Sequence, residues 1–178
     1  MYFVTIRQKG SIPKEALEQI QAERSKLDDD KETDQLKLKR RILSLMERHL
    51  DVPDGKDCLL TRSPAPEILK EAIAHREKTG VWRVVEYVLM PNHIHLFFGV
   101  TRGSLPALIE DFKHVTARQV NKALMRTGYP LWQREWFDHW SRSAAQDEKI
   151  INYIRNNPVK AGLVKDYRDW RHGSWNQE

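Results

Sequence analysis

The sequence predicts an α+β protein of the ferredoxin-like, split βαβ class, with one antiparallel sheet and helices packed on one face. Segments with strand and helix patterns follow one another in the order strand, helices, strand, strand, helix, strand, helix. The two middle strands are joined by a tight turn, Met90-Pro91-Asn92, which makes them an antiparallel hairpin. No repeat, low-complexity stretch or linker divides the chain, so we expect a single domain over residues 1 to 178.

The first part of the chain predicts one strand followed by a helical insertion. Residues 2 to 7 are rich in β-branched and aromatic types, as strands are. Apolar residues then recur at helical spacing from 14 to about 27 and from about 34 to 50, amid charges of both signs. The charged segment from Asp28 to Glu32 is expected to form a solvated turn. Residues 14 to 50 are therefore predicted to form a helical hairpin inserted after the first strand.

The rest of the chain supplies the remaining elements of this plan. Turn residues, capping residues and hydrophobic periodicity fix their approximate limits. In chain order they are a helix over 67 to 78 closed by Gly80, strands over 82 to 89 and 93 to 100, a helix from the N-cap Ser104 to Arg126, a strand over 136 to 143, a helix over 146 to 157 stopped by Pro158, and a tail over 166 to 178.

Composition excludes several classes of protein. Cys58 is the single cysteine, so an intramolecular disulfide and a thiolate zinc cluster are both excluded. We find no signal peptide and no apolar stretch long enough to span a bilayer, so we expect a cytoplasmic protein without membrane partners. The net charge of +5 and the pI near 9.3 permit an anionic partner without identifying it.

Two histidines flank one apolar residue in the second middle strand. Because side chains alternate across a strand, His93 and His95 point to one face while Ile94 and Leu96 point to the other. Neutral imidazole is the commonest protein metal ligand, so this pair is able to bind one divalent cation. The spacing alone leaves a second interpretation open, in which both histidines lie on a half-exposed strand and bind nothing.

The last predicted helix carries a tyrosine beside its apolar stripe. Ile150, Ile151 and Ile154 cluster on one side and are expected to face the sheet. Tyr153 lies at the margin of this stripe, and Asn157 follows one turn later on the same face. A tyrosine in this position is also a common packing residue with a solvated hydroxyl, and that interpretation stays open.

A basic face is predicted on the helix that begins at Ser104. Lys113, Arg118, Lys122 and Arg126 lie off its apolar stripe and are spaced so that several share a face. Such a face is suited to follow a phosphate backbone, because each cation that binds a phosphate displaces a condensed counterion. The alternative is an ordinary solvated face.

Four segments together resemble the IS200-type single-tyrosine transposases, and especially their REP-associated relatives. These segments are MPNHIHLF at 90 to 97, HVTARQVNKAL at 114 to 124, LWQREWFD at 131 to 138 and YIRNNPVKAGLV at 153 to 164. The resemblance implies a ferredoxin-like fold and cleavage of single-stranded DNA, often beside a hairpin, through a covalent 5′-phosphotyrosine. It implies that Tyr153 is the nucleophile and that His93, His95 and Asn157 are metal ligands.

The implied chemistry explains these residue types. Attack on a phosphodiester places charge on the phosphate oxygens and on the leaving 3′-oxygen, and a cation held by two imidazoles and an amide would stabilise it. A site that is completed by oxygen ligands and phosphate suits Mg²⁺ or Mn²⁺. A phenol with an ordinary pKa near 10 must lose its proton during the attack, helped by the metal or by a base that the sequence does not identify.

The leading hypothesis is therefore a metal-dependent DNA endonuclease and strand transferase that acts on hairpin-bearing REP-like or transposon-end DNA. It is expected to be a monomer or a homodimer, with Tyr153 acting in its own chain or in a partner's site. The alternative is a non-cleaving nucleic-acid-binding protein on the same fold, which would use the sheet and the basic helix only. The insertion at 14 to 50 and the tail at 166 to 178 have no assigned role.

Overall fold

The structure is a computed structural model that describes residues 1–25, 32–50 and 58–176. Its strands and helices follow the predicted order. They are β1 (Tyr2–Arg7), α1 (Lys14–Arg24), α2 (Glu32–Leu50), α3 (Ala65–Lys78), β2 (Trp82–Leu89), β3 (His93–Val100), α4 (Leu105–Ala123), β4 (Phe137–Trp140) and α5 (Ala144–Lys160), with short 3-10 helices at Tyr167–Asp169 and Ser174–Asn176.

The four strands form one antiparallel sheet in the order β2-β3-β1-β4. β2 and β3 form the predicted hairpin, with Leu89 opposite Ile94 across the turn. β1 lies next to β3, and Thr5 is directly opposite His95. This order confirms the ferredoxin-like α+β class, because a split βαβ unit places its first and third strands side by side in the middle of the sheet.

Both faces of this sheet are covered by helices, so the expectation of helices on one face needs correction. Ile94, Leu96 and Phe98 of β3 belong to a core shared with α3 and α4. Phe97 lies on the opposite face, in a second core that includes residues of α1, α2 and α5. The physical reason is that β3 is buried on both sides from His93 to Phe98, and both surfaces must be shielded from water.

The predicted helical insertion is present as α1 and α2. One side of α2 carries Ile42, Met46 and Leu50, which recur every four residues and are each about 1% exposed. They pack in the second core together with Ile20 of α1. The insertion therefore lies on the same side of the sheet as α5. The charged turn expected from Asp28 to Glu32 falls for the most part outside the described residues.

Three predicted boundaries were wrong. Pro158 does not stop α5, which continues to Lys160 and ends in a Schellman motif with Gly162 at φ 69°. The ring of Pro158 is buried, so packing offsets the hydrogen bond that its missing N–H cannot make. α4 ends at Ala123 because Met125 adopts φ 54°, and β4 is four residues long rather than eight.

The tail runs along the outer edge of β2. The Leu89 N–H donates to the His172 carbonyl at 2.9 Å, and the Trp170 indole N–H donates to the Leu89 carbonyl at 3.0 Å. The Ser174 hydroxyl bonds Glu86, and the Tyr87 N–H donates to the Ser174 oxygen. Backbone groups of an edge strand are thereby satisfied. No helix in the described part of the chain is long and apolar enough to cross a membrane.

Candidate active site

The histidine pair lies on the sheet face that is covered by α2 and α5. The alternation of β3 points His93 and His95 away from the α3 and α4 core, as predicted, and their exposed fractions are 1% and 0%. Their two Nε2 atoms are 3.1 Å apart. A pair of ring nitrogens that converge on one point inside the protein needs a proton or a cation there, since two lone pairs facing each other repel.

Hydrogen bonds on the other side of each ring fix the orientation of both imidazoles. His93 Nδ1 lies 2.7 Å from the side-chain oxygen of Asn92, which accepts a proton and does not donate one. Asn92 is itself held by donating its amide to the Leu50 carbonyl at 3.3 Å. His95 Nδ1 lies 2.9 Å from the Thr5 hydroxyl. The amide oxygen of Asn92 requires a proton on His93 Nδ1; if the Thr5 hydroxyl likewise accepts from His95 Nδ1, both Nε2 atoms present a lone pair to the same point.

Burial keeps both imidazoles neutral. Loss of solvation lowers the pKa of His93 from its ordinary 6.5 to about 3; a hydrogen bond with Asn157 opposes this shift and the charge of Lys160 adds to it. The pKa of His95 is lowered in the same direction by burial first, and then by His93 and Lys160. Neutral imidazole is the form that binds a metal ion.

The last helix brings the other two predicted residues to this point. The Tyr153 hydroxyl lies 3.4 Å from His95 Nε2, and the Asn157 amide nitrogen lies 3.2 Å from the same atom. Asn157 is 1% exposed, and its Oδ1 is buried without a hydrogen-bond partner in the described part of the chain. Tyr153 and Asn157 lie one helical turn apart, so both reach β3 from the same face of α5.

Aromatic packing and an open cleft define the surroundings of Tyr153. The ring of Phe3 lies 5.4 Å from the His95 ring and 5.6 Å from the Tyr153 ring, measured between centroids. A cavity of about 330 Å³ adjoins the tyrosine on its outer side. Apolar and polar side chains from four elements line it, namely Phe3, Leu43, Phe137, His139, Gln146, Lys149, Ile150 and Tyr153. The tyrosine is thus half-buried and reachable from solvent.

Sequence reasoning missed Glu47, which belongs to the insertion helix α2. Its Oε1 accepts a hydrogen bond from the Tyr153 hydroxyl at 2.5 Å, and its Oε2 pairs with the Lys160 ammonium at 3.0 Å. The contact joins residues that are 106 positions apart, and Glu47 lies in a segment rich in charges of both signs. Nothing in the local sequence pattern distinguishes Glu47 from its charged neighbours.

The donor atoms at this point fit a divalent cation. Two converging imidazole nitrogens lie beside the buried side-chain amide of Asn157, whose Oδ1 has no hydrogen-bond partner among the described residues. Within residues 1–25, 32–50 and 58–176, no three His, Cys, Asp or Glu side chains are grouped to hold a metal. The site would therefore be completed by an amide and by substrate oxygens rather than by a carboxylate or a thiolate.

The predicted basic face of α4 lies elsewhere. α4 packs on the opposite side of the sheet from the histidine pair, through Ile109, Phe112 and Val120. Arg118 and Lys122 are exposed on it, as predicted. A nucleic-acid strand bound there would have to pass around the sheet to reach Tyr153.

Two of the four residues that were predicted to share an exposed face of α4 lie outside that face, and DNA binding by all four stays a prediction. Lys113 is only 6% exposed, pairs with Glu110 at 2.9 Å and donates to the Arg134 carbonyl at 2.7 Å. Its ammonium binds the loop before β4, so Lys113 does not belong to an exposed face. Arg126 lies beyond the end of α4 and stacks on Tyr129 at 5.8 Å.

Comparison with known proteins yields one family. A model of the family described as "Transposase IS200 like" matches residues 52–157, which include both histidines, Tyr153 and Asn157. The REP-associated tyrosine transposase of Escherichia coli strain K12 is 25% identical over 114 residues, which are 63% of this chain and 66% of that protein. A relative from Haemophilus influenzae is 27% identical over 107 residues, 54% of this chain and 61% of that protein. The chain thus spans less than two thirds of either curated relative.

A solved structure shows the same fold. It is described as a REP-associated tyrosine transposase bound to a REP hairpin, and it superposes with a TM-score of 0.60 at 17% identity. The alignment covers 98% of this chain and 75% of that one. The alignment therefore extends over nearly the whole chain, whereas the family model begins only at residue 52. The resemblance noted in the sequence is confirmed.

Proposed function

The chain belongs to the IS200-like transposase family, and we propose that it cuts single-stranded DNA and transfers the cut strand through a covalent bond between Tyr153 and a 5′-phosphate. The observation that carries this proposal is the position of the Tyr153 hydroxyl, 3.4 Å from His95 Nε2 at the point where His93 and Asn157 also converge. Packing alone does not explain why the Tyr153 hydroxyl contacts a buried histidine pair whose rings are held in a fixed orientation.

The proposed substrate is single-stranded DNA that carries a hairpin of the REP or transposon-end kind. Two features support it: the curated relative named for REP association and the solved relative described with a REP hairpin. The net charge of +5 agrees with a polyanionic partner. The half-buried tyrosine at the edge of an open cleft suits a flexible single strand, whose phosphate can enter more readily than that of a stiff duplex.

In the proposed reaction the phenolic oxygen of Tyr153 attacks the scissile phosphorus. The bond from phosphorus to the 3′-oxygen breaks, and the downstream strand stays on the tyrosine through its 5′-phosphate. The released 3′-hydroxyl, or a 3′-hydroxyl from another end, can attack this phosphotyrosine and free the enzyme. Because the phosphoester bond is exchanged and not hydrolysed, the product is a joined strand.

His93 Nε2, His95 Nε2 and Asn157 Oδ1 would hold Mg²⁺ or Mn²⁺ in this site. A bound divalent cation would offset the charge that develops on the phosphate oxygens during the attack. Asn92 holds His93 in the tautomer that presents Nε2, and the hydrogen bond with Thr5 fixes the orientation of the His95 ring. Phe3, packed against both His95 and Tyr153, limits how far the phenol can swing from the histidines.

The test is formation of a covalent protein–DNA adduct. Purified protein is incubated with Mn²⁺ and a pool of 3′-labelled single-stranded oligonucleotides, each with a stable hairpin beside a randomised flank, and label on the protein is measured in a denaturing gel. We expect an adduct with the natural chain and none with Tyr153→Phe, which still binds the pool. Tyr129→Phe is the matched control, since Tyr129 is 65% exposed and distant in sequence from α5.

Two results contradict the proposal. An undiminished adduct with Tyr153→Phe would assign the nucleophile to another residue. Binding of the pool without any adduct from the natural chain would instead support a non-cleaving nucleic-acid-binding protein on the same fold.

A further inference from the structure

We infer that Glu47, in the insertion helix α2, is the base that takes the proton from Tyr153 when the phenol attacks DNA. This inference rests on the proposed function and adds a residue to it. It also gives the insertion a role: α2 would deliver a carboxylate to a site whose other groups come from β3 and α5.

The carboxylate is in contact with the atom that reacts. The Tyr153 hydroxyl donates to Glu47 Oε1 at 2.5 Å, a distance at the short end of the range for a hydroxyl and an ionised oxygen. A base must lie within hydrogen-bond reach of the proton that it removes, and Glu47 meets that condition before any substrate is bound. A second contact of the hydroxyl, with His95 Nε2 at 3.4 Å, is longer, and that nitrogen also lies close to His93 and Asn157.

The second oxygen of Glu47 is held by a cation. Lys160, one turn beyond Asn157 on α5, pairs with Oε2 at 3.0 Å. The Glu47 side chain is 13% exposed and that of Lys160 is 45% exposed, so the pair lies at the edge of the site. The ion pair fixes the rotation of the carboxylate, which leaves Oε1 aimed at the phenol.

Packing fixes the position of Glu47 along α2. Its neighbour Met46 is 1% exposed, and Leu50, almost one turn later, is buried and accepts a hydrogen bond from Asn92 through its carbonyl. Asn92 also orients His93. The helix that carries the carboxylate is therefore tied directly to the residue that sets the tautomer of one histidine.

The proton balance of the step is closed. The O–H bond of Tyr153 breaks as its oxygen forms the bond to phosphorus, and the proton moves to Glu47 Oε1. The bond from phosphorus to the 3′-oxygen breaks, and that oxygen takes a proton from solvent water to become the 3′-hydroxyl. In the reverse, joining direction the protonated Glu47 returns its proton to the phenolic oxygen as it leaves.

The test compares Glu47→Gln with the natural chain in single-turnover adduct formation on the 3′-labelled hairpin pool with Mn²⁺. Glutamine keeps the size of the side chain and a hydrogen-bond acceptor but is not a base. We expect the rate to fall about a hundredfold, the usual contribution of a positioned base. Glu47→Asp should recover part of the rate. Glu148→Gln, an exposed charge change on α5 itself, is the control and should react normally.

A second measurement separates proton transfer from a structural role. Tyr153 is replaced by a fluorinated tyrosine whose phenol is more acidic, in both the natural and the Glu47→Gln chain. A nucleophile that loses its proton easily needs the base less. Fluorination should therefore reduce the ratio between the rate of the natural chain and the rate of Glu47→Gln. If Glu47 only held α2 in place, fluorination would change both rates by the same factor.

Three outcomes overturn the inference. Equal rates for Glu47→Gln and the natural chain show that the carboxylate is not needed. A faster reaction with Glu47→Gln shows that Glu47 holds the tyrosine away from DNA. Weaker Mn²⁺ binding by Glu47→Gln, measured by calorimetry without DNA, makes Glu47 a metal ligand. Failure of the natural chain to form any adduct overturns the proposed function itself, and is recognised by the absence of label on every variant.

Discussion

The two faces of the sheet differ in the residues that β3 presents to them. Ile94, Leu96 and Phe98 of β3 face α3 and α4 and are fully buried in an apolar core. On the other face the same strand presents His93, His95 and Phe97, also fully buried or nearly so. The polar residues there are as inaccessible as the apolar residues opposite.

The difference lies in how each face is satisfied. The apolar face needs only close packing, and loss of apolar contact with water stabilises it. On the histidine face every buried ring nitrogen needs a partner, since a buried polar group without one costs about 1 to 3 kcal/mol. Thr5 and Asn92 supply partners to the Nδ1 atoms, while the two Nε2 atoms face each other and Asn157 Oδ1 has no partner among residues 1–25, 32–50 and 58–176. The apolar face is satisfied by packing alone, whereas the histidine face would be completed by the cation that we propose.

The largest expected effect comes from removing a ring on the histidine face. His95→Ala deletes the nitrogen on which His93, Tyr153 and Asn157 converge, so adduct formation should be abolished. Stabilisation by Mn²⁺ should vanish with it. In the natural chain, Mn²⁺ at a hundred times its dissociation constant should raise the free energy of unfolding by about 2.7 kcal/mol, which chemical denaturation with and without EDTA would measure.

The control for this prediction is another histidine. His114 is exposed on α4, across the sheet, and His114→Ala should keep both the adduct and the stabilisation by Mn²⁺. A natural chain whose stability does not respond to Mn²⁺, Mg²⁺ or EDTA would contradict the metal site, whatever happens to the adduct.

The neighbouring residue on the other face should behave in the opposite way. Leu96→Ala leaves a cavity between β3 and the α3 and α4 layer, and should lower the free energy of unfolding by about 3 kcal/mol in urea denaturation. Stabilisation by Mn²⁺ should persist, because the histidine face is unchanged. Val85→Ala, on the 39% exposed side chain of Val85, should change stability by no more than about 0.5 kcal/mol. Loss of Mn²⁺ binding in Leu96→Ala would show that the two faces are coupled.

The sequence was most informative where one local pattern decided the structure. Alternation in β3 and helical spacing in α5 placed His93, His95, Tyr153 and Asn157 on facing surfaces, and the hairpin turn set the register. These placements follow from periods of two and of 3.6 residues, which are properties of the backbone. The layer arrangement was missed because His93 and His95 interrupt the apolar pattern on the face that α2 and α5 cover.

Contacts between distant segments were beyond such reasoning. Glu47 reaches Tyr153 only because the insertion folds back over the sheet, and no period in the sequence encodes that docking. Lys113 was expected on an exposed face, since its spacing matches that of Arg118 and Lys122. The loop before β4 covers it, and a lysine can be buried when its ammonium finds a carboxylate and a carbonyl. Helical periodicity fixes the direction of a side chain and not what lies over it.

The smallest expected effect comes from the exposed cations of α4, the helix that packs on the apolar face of the sheet. Arg118 and Lys122 lie across the sheet from Tyr153. A phosphate that they bind would therefore differ from the scissile phosphate of the proposed reaction. Arg118→Ala should therefore weaken DNA binding modestly and equally for all sequences. It should reduce the slope of log affinity against log salt by about one and leave the single-turnover adduct rate at saturating DNA unchanged.

The control for this prediction is Lys14→Ala, which removes an exposed cation on α1. If Arg118→Ala instead slows adduct formation at saturation, the bound strand must wrap around the sheet edge, and the two faces act on one substrate. If neither the affinity nor the salt slope changes, the basic face of α4 is solvated surface.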